Sequence, residues 1–319
     1  MTDLTVTSAT LQRIRETVGA RVLGQEEVID QILAAFIARG HVLLEGVPGT
    51  AKTLLVRVLA GALDVRFGRV QFTPDLMPSD VAGVSVYQES SRAFEFRPGP
   101  IFTDLLLADE INRAPAKTQS ALLEAMQERQ VTVDGVTHPL GELFSVFATQ
   151  NPVEYEGTYP LPEAQLDRFL VNVRINYPAK SAELAMLANY SDGFDAERAD
   201  TFMPAPVVTR EEVFQLRAMT DNVNVTVEVR EYITDIVRAT REDPSLTLGA
   251  SPRAAVALFR ISRAAALVAG RDFATPDDVK QHALPVLRQR VLLEPELQVE
   301  GRSTDDVIGA VLSRVPAPK

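Results

Sequence analysis

A glycine-rich segment at residues 46–53 combines backbone amides, a lysine and a threonine at the spacing of a phosphate-binding loop. Its N–H groups would turn inward around phosphate oxygens, and the helix that follows would add positive potential. Lys52 would reach the β- and γ-phosphates, and the Thr53 hydroxyl would coordinate Mg²⁺. Ala51 replaces the usual glycine before the lysine, so a glycine-rich turn without nucleotide is the alternative. The predicted nucleotide-binding residues are Gly46, Val47, Pro48, Gly49, Thr50, Ala51, Lys52, Thr53 and Leu54.

Two adjacent carboxylates, Asp109 and Glu110, follow the apolar run at residues 105–108. Adjacent side chains at the end of a strand point to opposite sides, so the two carboxylates can take different roles. Asp109 would hold Mg²⁺ through a water, together with Thr53, and Glu110 would orient a water for attack on the γ-phosphate. A strand that simply ends in an acidic turn is the alternative interpretation.

Three further polar side chains could complete a phosphoryl-transfer site. Asn151 follows the apolar run at residues 144–149 and could hydrogen-bond the γ-phosphate or the attacking water, or could be a turn residue before Pro152. Arg168 precedes the last predicted strand, although an arginine at the surface is usually only solvated. Arg253 lies in the first turn of a predicted helix, where a cation opposes the helix dipole and an anionic ligand would explain it.

Short apolar runs alternate with amphipathic helical patterns in the first part of the chain. Such alternation is typical of a parallel sheet that is covered by helices on its faces. The carboxyl ends of parallel strands meet at one edge, which would bring the phosphate loop, the two carboxylates and Asn151 together. The predicted strands are 41–45, 105–108, 144–148 and 170–175, and the clearest predicted helices are 24–38, 54–63 and 119–128.

Two interruptions break this α/β pattern. Two small strands are predicted within residues 82–98, and a hairpin is predicted at 130–138 because Asp134 and Gly135 form a strong turn signal. After residue 178 only helical periodicity remains, which predicts two domains at 1–178 and 179–319. We therefore expect a P-loop α/β core with a parallel sheet, followed by a smaller all-α lid domain.

Length and composition fit two globular domains and narrow the classes of partner. The 319 residues carry 32 basic and 43 acidic side chains, and a net charge of −11 disfavours binding to nucleic acid. The chain contains no cysteine, and its first residues are not typical of a secretion signal. No window of the sequence reaches the roughly 20 apolar residues that a membrane span requires. These features lead us to expect a soluble cytoplasmic protein without a membrane span.

Several segments together resemble the MoxR family of AAA+ ATPases, densely over about residues 10–180 and more loosely in the helical part. The resemblance implies a ring, commonly a hexamer, that couples ATP hydrolysis to chaperone-like remodelling, maturation or metal insertion of a client protein complex. It also implies ATP and Mg²⁺ as cofactors and a partner protein with a von Willebrand factor A domain. The matching segments are residues 40–49, 107–115, 148–152 and 157–169, followed by 251–253 and 272–279.

The same resemblance assigns roles to individual residues. Asn151 is similar to the family's sensor 1, Arg168 to the arginine finger offered to a neighbouring subunit, and Arg253 to sensor 2 on the lid. Arg113 is also typical of the family and could share the interface role with Arg168. Residues 82–98 resemble the helix-2 insert, and 130–138 the pre-sensor-1 hairpin, both of which face the pore of the ring.

We therefore expect ATP to bind between the two domains of one subunit and to be completed by an arginine from the next. A nucleic-acid motor is an alternative, although the hairpin at residues 131–138 contains no lysine or arginine. A magnesium-chelatase-like motor subunit and a nucleotide-gated scaffold with little hydrolysis are two further alternatives.

Overall fold

The computed structural model describes residues 4–152 and 158–318, with the backbone alone at 199–200. Gly157, which belongs to one of the matching segments, lies outside these residues. The helices are α1 (Leu4–Gly19), α2 (Glu26–Ile37), α3 (Lys52–Ala62), α4 (Pro78–Ala82), α5 (Ala116–Glu128), α6 (Glu163–Leu166), α7 (Lys180–Ser191), α8 (Ala199–Phe202), α9 (Arg210–Asn222), α10 (Val227–Arg241), α11 (Pro252–Val268), α12 (Pro276–Leu287), α13 (Pro295–Val299) and α14 (Thr304–Arg314). The strands are β1 (Val42–Glu45), β2 (Phe67–Gln71), β3 (Gly83–Gln88), β4 (Ala93–Pro98), β5 (Leu105–Asp109), β6 (Gln130–Val133), β7 (Val136–Pro139), β8 (Ser145–Gln150), β9 (Val171–Arg174), β10 (Leu246–Leu248) and β11 (Leu292–Leu293).

The predicted parallel sheet is confirmed, and its described strands run in the order β2-β5-β8-β1-β9. β5 is buried along its whole length, which explains why its sequence is an unbroken apolar run. The register pairs Glu45 at the end of β1 with Gln150 at the end of β8. One edge of the sheet therefore carries the loop after β1, the acidic end of β5 and the residues after β8.

The edge strand β2 was not predicted from the sequence. Only Val70 of its residues is buried, so the strand lacks the apolar run that identified the others. β2 pairs in parallel with β5, and Gln71 lies opposite Asp109 in the register. The side chains of Arg69 and Gln71 consequently lie beside the two carboxylates.

The two small β-structures interrupting the core are confirmed as antiparallel pairs, β3 with β4 and β6 with β7. Asp134 and Gly135 both have positive φ angles, 49° and 80°, as the tight turn of a hairpin requires. The rings of His138 and Phe96 stack with centroids 3.9 Å apart and an interplanar angle of 17°. Phe96 also contacts Phe102 edge to face at 5.4 Å, so aromatic rings join the two hairpins.

The remainder of the chain is helical, as predicted, apart from the short pair β10–β11. Capping boxes of Thr209 with Glu212 and of Thr275 with Asp278 begin α9 and α12. One hydrophobic cluster extends from α1, α2 and the sheet into the later helices, and α11 packs on α2. The predicted boundary at residue 178 stays a prediction, because the packing continues across it. None of the described helices is both long and apolar enough to cross a membrane.

A buried carboxylate ties α9 to the end of the loop before β5. Asp104 is fully buried, and both its oxygens accept hydrogen bonds from Arg210, while Arg66 adds further donors from its backbone and side chain. Burial alone would raise the pKa of Asp104, but the hydrogen bonds from Arg210 and Arg66 lower it to about 2. This ion pair anchors the helical part to the sheet.

Candidate active site

The loop after β1 closes around the lysine that begins α3. Lys52 Nζ donates to the carbonyl oxygens of Gly46 at 2.5 Å and Val47 at 2.9 Å. A side chain at Gly46 would place its Cβ 2.6 Å from the Ile175 carbonyl oxygen, so glycine is required there. Ala51 has a φ angle of 61°, in the left-handed region where glycine is easier to accommodate. The departure from the usual pattern thus lies where alanine costs about 1 kcal/mol.

Asp109 contacts three polar side chains of the candidate site. Its buried carboxylate accepts hydrogen bonds from the Thr149 hydroxyl at 2.6 Å, the Thr53 hydroxyl at 3.1 Å and an Arg69 guanidinium nitrogen at 2.7 Å. A threonine hydroxyl and a carboxylate oxygen this close together suit Mg²⁺, which prefers oxygen ligands and retains waters. The residues predicted to hold the metal, Thr53 and Asp109, therefore fit that ion.

Glu110 is held by its backbone and by its side chain. Its φ angle is 56°, an uncommon value for glutamate, and its N–H donates to Thr149 Oγ1 at 2.8 Å. The Glu110 carboxylate accepts from Gln71 Nε2 at 2.9 Å and lies 3.2 Å from Arg113 Nε. Arg113 therefore has a partner within its own chain, and Thr149 couples the two acidic residues.

These groups line a cavity of about 670 Å³, and the buried residue Asn151 lines it as well. Its far end is lined by residues 21–23 and Gln25, and on α7 by Ala182, Met186, Asn189 and Tyr190. None of the described residues of α7 is buried. This end of the cavity was not predicted, because α7 has no strong amphipathic pattern and its inner face is recognisable only in three dimensions.

Arg168 and Arg253 lie elsewhere, in a second pocket of about 540 Å³. Arg168 Nε donates to Gln127 Oε1 at 3.1 Å, and an Arg253 nitrogen lies 3.7 Å from Asp167 Oδ2. We expected Arg253 to contact ATP bound between the domains of its own chain. The structure instead has Arg253 beside Arg168, because α11 packs on α2, and the described lining of the first cavity includes neither arginine. The role of Arg253 towards ATP stays a prediction.

The second pocket, which we call the arginine pocket, is strongly positive. Asp167 is the only carboxylate among the described residues that line it. Here Arg129 and Arg260 donate to the backbone carbonyls of residues 38–39. Burial and then repulsion from Arg39 lower the pKa of Arg129, and burial and then repulsion from Arg129 and Arg39 lower the pKa of Arg260. An anion would relieve that repulsion. The lining arginines are Arg39, Arg129, Arg168, Arg253, Arg260 and Arg290.

Comparisons with known proteins agree with this architecture. Residues 41–171 match the family model described as ATPase family associated with various cellular activities (AAA), and residues 238–311 match the AAA lid domain. Chaperone MoxR1 of Mycobacterium tuberculosis is 40% identical, with 97% of this chain and 83% of the relative covered. The chain belongs to the MoxR family of AAA+ ATPases.

Other similar proteins place the MoxR-family chain in a wider group. YeaC of Bacillus subtilis, described as uncharacterized, is 47% identical over 95% of this chain and 93% of its own length. Protein MoxR of Methylorubrum extorquens is 31% identical over 96% and 94% of the two chains. A crystal structure from Cytophaga hutchinsonii, provisionally named an ATPase, superposes with a TM-score of 0.89 at 40% identity, covering 99% of this chain and 97% of the other.

Membership in the MoxR family implies nucleotide as a ligand, typically with Mg²⁺. The matched AAA segment contains the P-loop, both carboxylates, Asn151 and Arg168. The matched lid segment contains Arg253. The predicted fold is thus confirmed, whereas the role of each site residue stays a prediction.

Proposed function

We propose that this MoxR-family protein hydrolyses ATP to ADP and phosphate in the cavity beside the P-loop. The observation that carries the proposal is the contact of Thr53 with Asp109 at 3.1 Å, directly after the lysine that closes the loop. This places the three groups needed for a metal-bound triphosphate on adjacent elements of one rigid sheet edge. The far end of the cavity, between residues 21–25 and α7, would hold the base.

Each group at the sheet edge would then have the role in ATP hydrolysis that its position allows. Lys52 would exchange its carbonyl partners for the β- and γ-phosphates, and the loop amides would donate to the same oxygens. Thr53 and Asp109 would hold Mg²⁺, which neutralises phosphate charge when bound. Glu110 would orient the attacking water, and Asn151 would donate to that water or to the γ-phosphate.

The arginine pocket would supply positive charge to the ATP of a neighbouring subunit. Arg168 and Arg253 share this pocket and face an excess of cations, so an anion must come from outside it. A γ-phosphate of the next subunit fits that requirement. We therefore propose that both arginines act in trans, and that Arg113 stays with Glu110 of its own chain.

The assembly would be a cytoplasmic hexameric ring that remodels or matures a client protein complex, or helps to insert its metal, with a von Willebrand factor A domain protein as partner. Support comes from apolar side chains exposed on the two hairpins, which offer a surface for a client segment. Phe94 is 73% exposed and Val136 is 57% exposed. The chaperone name of a relative that is 40% identical agrees with this role.

The test compares phosphate release and nucleotide retention in the Glu110→Gln variant. We expect hydrolysis to fall by about 100-fold or more, while ATP stays bound, because the water-orienting carboxylate is lost and the phosphate ligands remain. Glu231→Gln, an exposed change on α10, is the matched control and should hydrolyse ATP at the native rate. If native protein and Glu110→Gln trapped equal ATP and neither released phosphate, a nucleotide-gated scaffold would replace the ATPase.

The same variant tests the client and the ring. Protein locked with ATP by Glu110→Gln should sediment as a hexamer and retain its client and partner during affinity capture, since hydrolysis can no longer release them. The matched Lys52→Ala variant, which loses the phosphate ligand, should retain neither. Equal capture by both variants would contradict an ATP-dependent client.

A further inference from the structure

The guanidinium group of Arg69 lies on the carboxylate that the proposed metal site needs. Two of its nitrogens contact Asp109 Oδ2, at 2.7 Å and 3.2 Å. The Thr53 hydroxyl is nearer to the same oxygen, at 3.1 Å, than to Oδ1, at 3.3 Å. Oδ2 is therefore an oxygen that contacts both Thr53 of the P-loop and Arg69, so a cation of the protein already occupies it.

The two partners of this ion pair differ in their freedom to move. The Asp109 side chain is 8% exposed, whereas that of Arg69 is 45% exposed. The Thr149 hydroxyl also fixes the carboxylate from the buried side. A second cation at Oδ2 would repel the guanidinium at short range, and the arginine is the partner that can move toward solvent at low cost.

Movement of Arg69 would also reach the second carboxylate. A guanidinium nitrogen of Arg69 donates to Gln71 Oε1 at 3.1 Å, and Gln71 Nε2 donates to Glu110 Oε2 at 2.9 Å. The side chains of β2 thus connect both acidic residues through one line of hydrogen bonds. Loss of the first contact removes the restraint that orients the Gln71 amide.

We infer that Arg69 is a positioning residue that holds the P-loop face of Asp109 and is exchanged for the metal when Mg²⁺-bound ATP enters. This inference rests on the proposed function. Arg69 then sets the magnesium concentration at which nucleotide binds, and its departure loosens the contact of Gln71 with Glu110, which keeps its partner Arg113. The ATP site is in this way restrained until metal and triphosphate arrive together.

The experiment measures binding rather than turnover. A fluorescent, slowly hydrolysed ATP analogue is titrated with Mg²⁺ against the native protein and the Arg69→Met variant, starting in EDTA. We expect the midpoint in Mg²⁺ to fall by about threefold to tenfold in the variant, since one competing cation is removed from the carboxylate. Binding of the analogue without Mg²⁺ should change little.

Arg57→Met is the matched control, because it removes the same charge from the same cavity without touching Asp109. The Arg57 guanidinium instead lies 4.6 Å from the ring centroid of Phe202. Its midpoint should move by less than about twofold. Arg69→Lys, which keeps the charge but loses the paired contact, should give an intermediate midpoint and serves if Arg69→Met proves unstable on heating.

Three results would overturn the inference. An unchanged midpoint in both Arg69 variants, or an equal shift in Arg57→Met, would show that Arg69 does not compete with the metal. A loss of affinity for the analogue in EDTA would show that Arg69 is a phosphate ligand. Failure of the native protein to bind the analogue at any Mg²⁺ concentration would instead contradict the proposed function itself.

Discussion

The cavity beside the P-loop and the arginine pocket differ in how their charged side chains are paired. In the cavity, carboxylates and cations face one another, as Asp109 does with Arg69 and Glu110 with Arg113. In the arginine pocket six arginines line the wall together with one carboxylate, Asp167. Arg39 also pairs with Asp221, which is outside the lining, while Arg260 donates to a backbone carbonyl. The first can exchange internal partners for a ligand, whereas the second needs an anion from outside the chain. This difference supports the proposal that each is half of a site shared between subunits.

The largest expected effect tests whether the two halves belong together. Arg168→Ala should lower the ATPase rate of the assembled protein by about 10³-fold, with little change in nucleotide affinity, because an arginine supplied in trans acts mainly on the transition state. The rate is measured as phosphate release at saturating ATP. If the assembled variant hydrolysed ATP at the native rate, the arginine pocket would not contribute Arg168 to the ATP site of a neighbouring subunit.

Mixing variants supplies the control. Arg168→Ala retains an intact P-loop half, and Lys52→Ala retains an intact arginine half. A mixture of the two inactive proteins should recover part of the native rate, since some interfaces join two intact halves. A mixture that stays inactive, although it co-assembles, would contradict an arginine acting in trans.

The next prediction tests whether Arg217, a buried arginine behind the arginine pocket, has a structural role. Arg217 is 2% exposed and donates to the carbonyls of Phe36, Glu142 and Leu143 and to the Ser145 hydroxyl. Arg217→Met should lower the free energy of unfolding by about 3 kcal/mol, because buried acceptors lose their donor. Urea unfolding measures it, and the exposed change Arg238→Met should cost less than about 0.5 kcal/mol. If Arg217→Met lost as little stability as Arg238→Met, a structural role would be contradicted and Arg217 would be available to a ligand.

A pH effect follows from His41, which lies between the arginine pocket and β1. Burial, together with Arg129, lowers the pKa of His41 from 6.5 to about 3. Between these two pH values the His41 imidazole is protonated in the unfolded chain and neutral in the folded chain. The free energy of unfolding therefore falls as the pH drops below 6.5. At about pH 5 the loss from this group reaches about 2 kcal/mol relative to neutral pH.

Urea unfolding at several pH values above the range of the carboxylates measures that slope. Burial also lowers the pKa of His282, which adds a slope of the same sign. His41→Gln should leave only the part due to His282. An unchanged slope would show that the ring takes up its proton in the folded chain and that the arginine pocket tolerates one more cation.

The smallest effect concerns the far end of the cavity. Met186 on α7 lines the cavity, whereas its neighbour Leu187 is 60% exposed on the outer side. Met186→Ala should weaken ATP binding by about threefold to tenfold without changing the saturated rate, because it removes apolar contact with the base in both ground and transition states. Leu187→Ala is the matched control. Equal weakening by both would mean that α7 acts through its helical stability alone.

The sequence predicted most of the P-loop half. Lys52, Thr53, Asp109, Glu110 and Asn151 follow buried strands, and parallel strands bring such residues to one edge regardless of what packs around them. That rule needs only local patterns, and the structure places all five around the first cavity or its entrance.

The rest could not be predicted, for physical reasons. β2 is an edge strand with little burial, so its sequence carries no strand signal, and Arg69 and Gln71 went unnoticed with it. The position of Arg253 depends on how α11 packs against α2, which helical periodicity does not determine. The wall that α7 adds to the cavity arises from a helix without a buried face.

The stack of His138 on Phe96 bears on how a force could pass between the two hairpins. They form separate two-stranded sheets, and flat rings 3.9 Å apart connect them. A stacked aromatic pair is worth about 1 kcal/mol beyond the area that it buries. Separating the two hairpins would therefore cost at least the loss of this stack, so that a displacement of one hairpin is felt by the other.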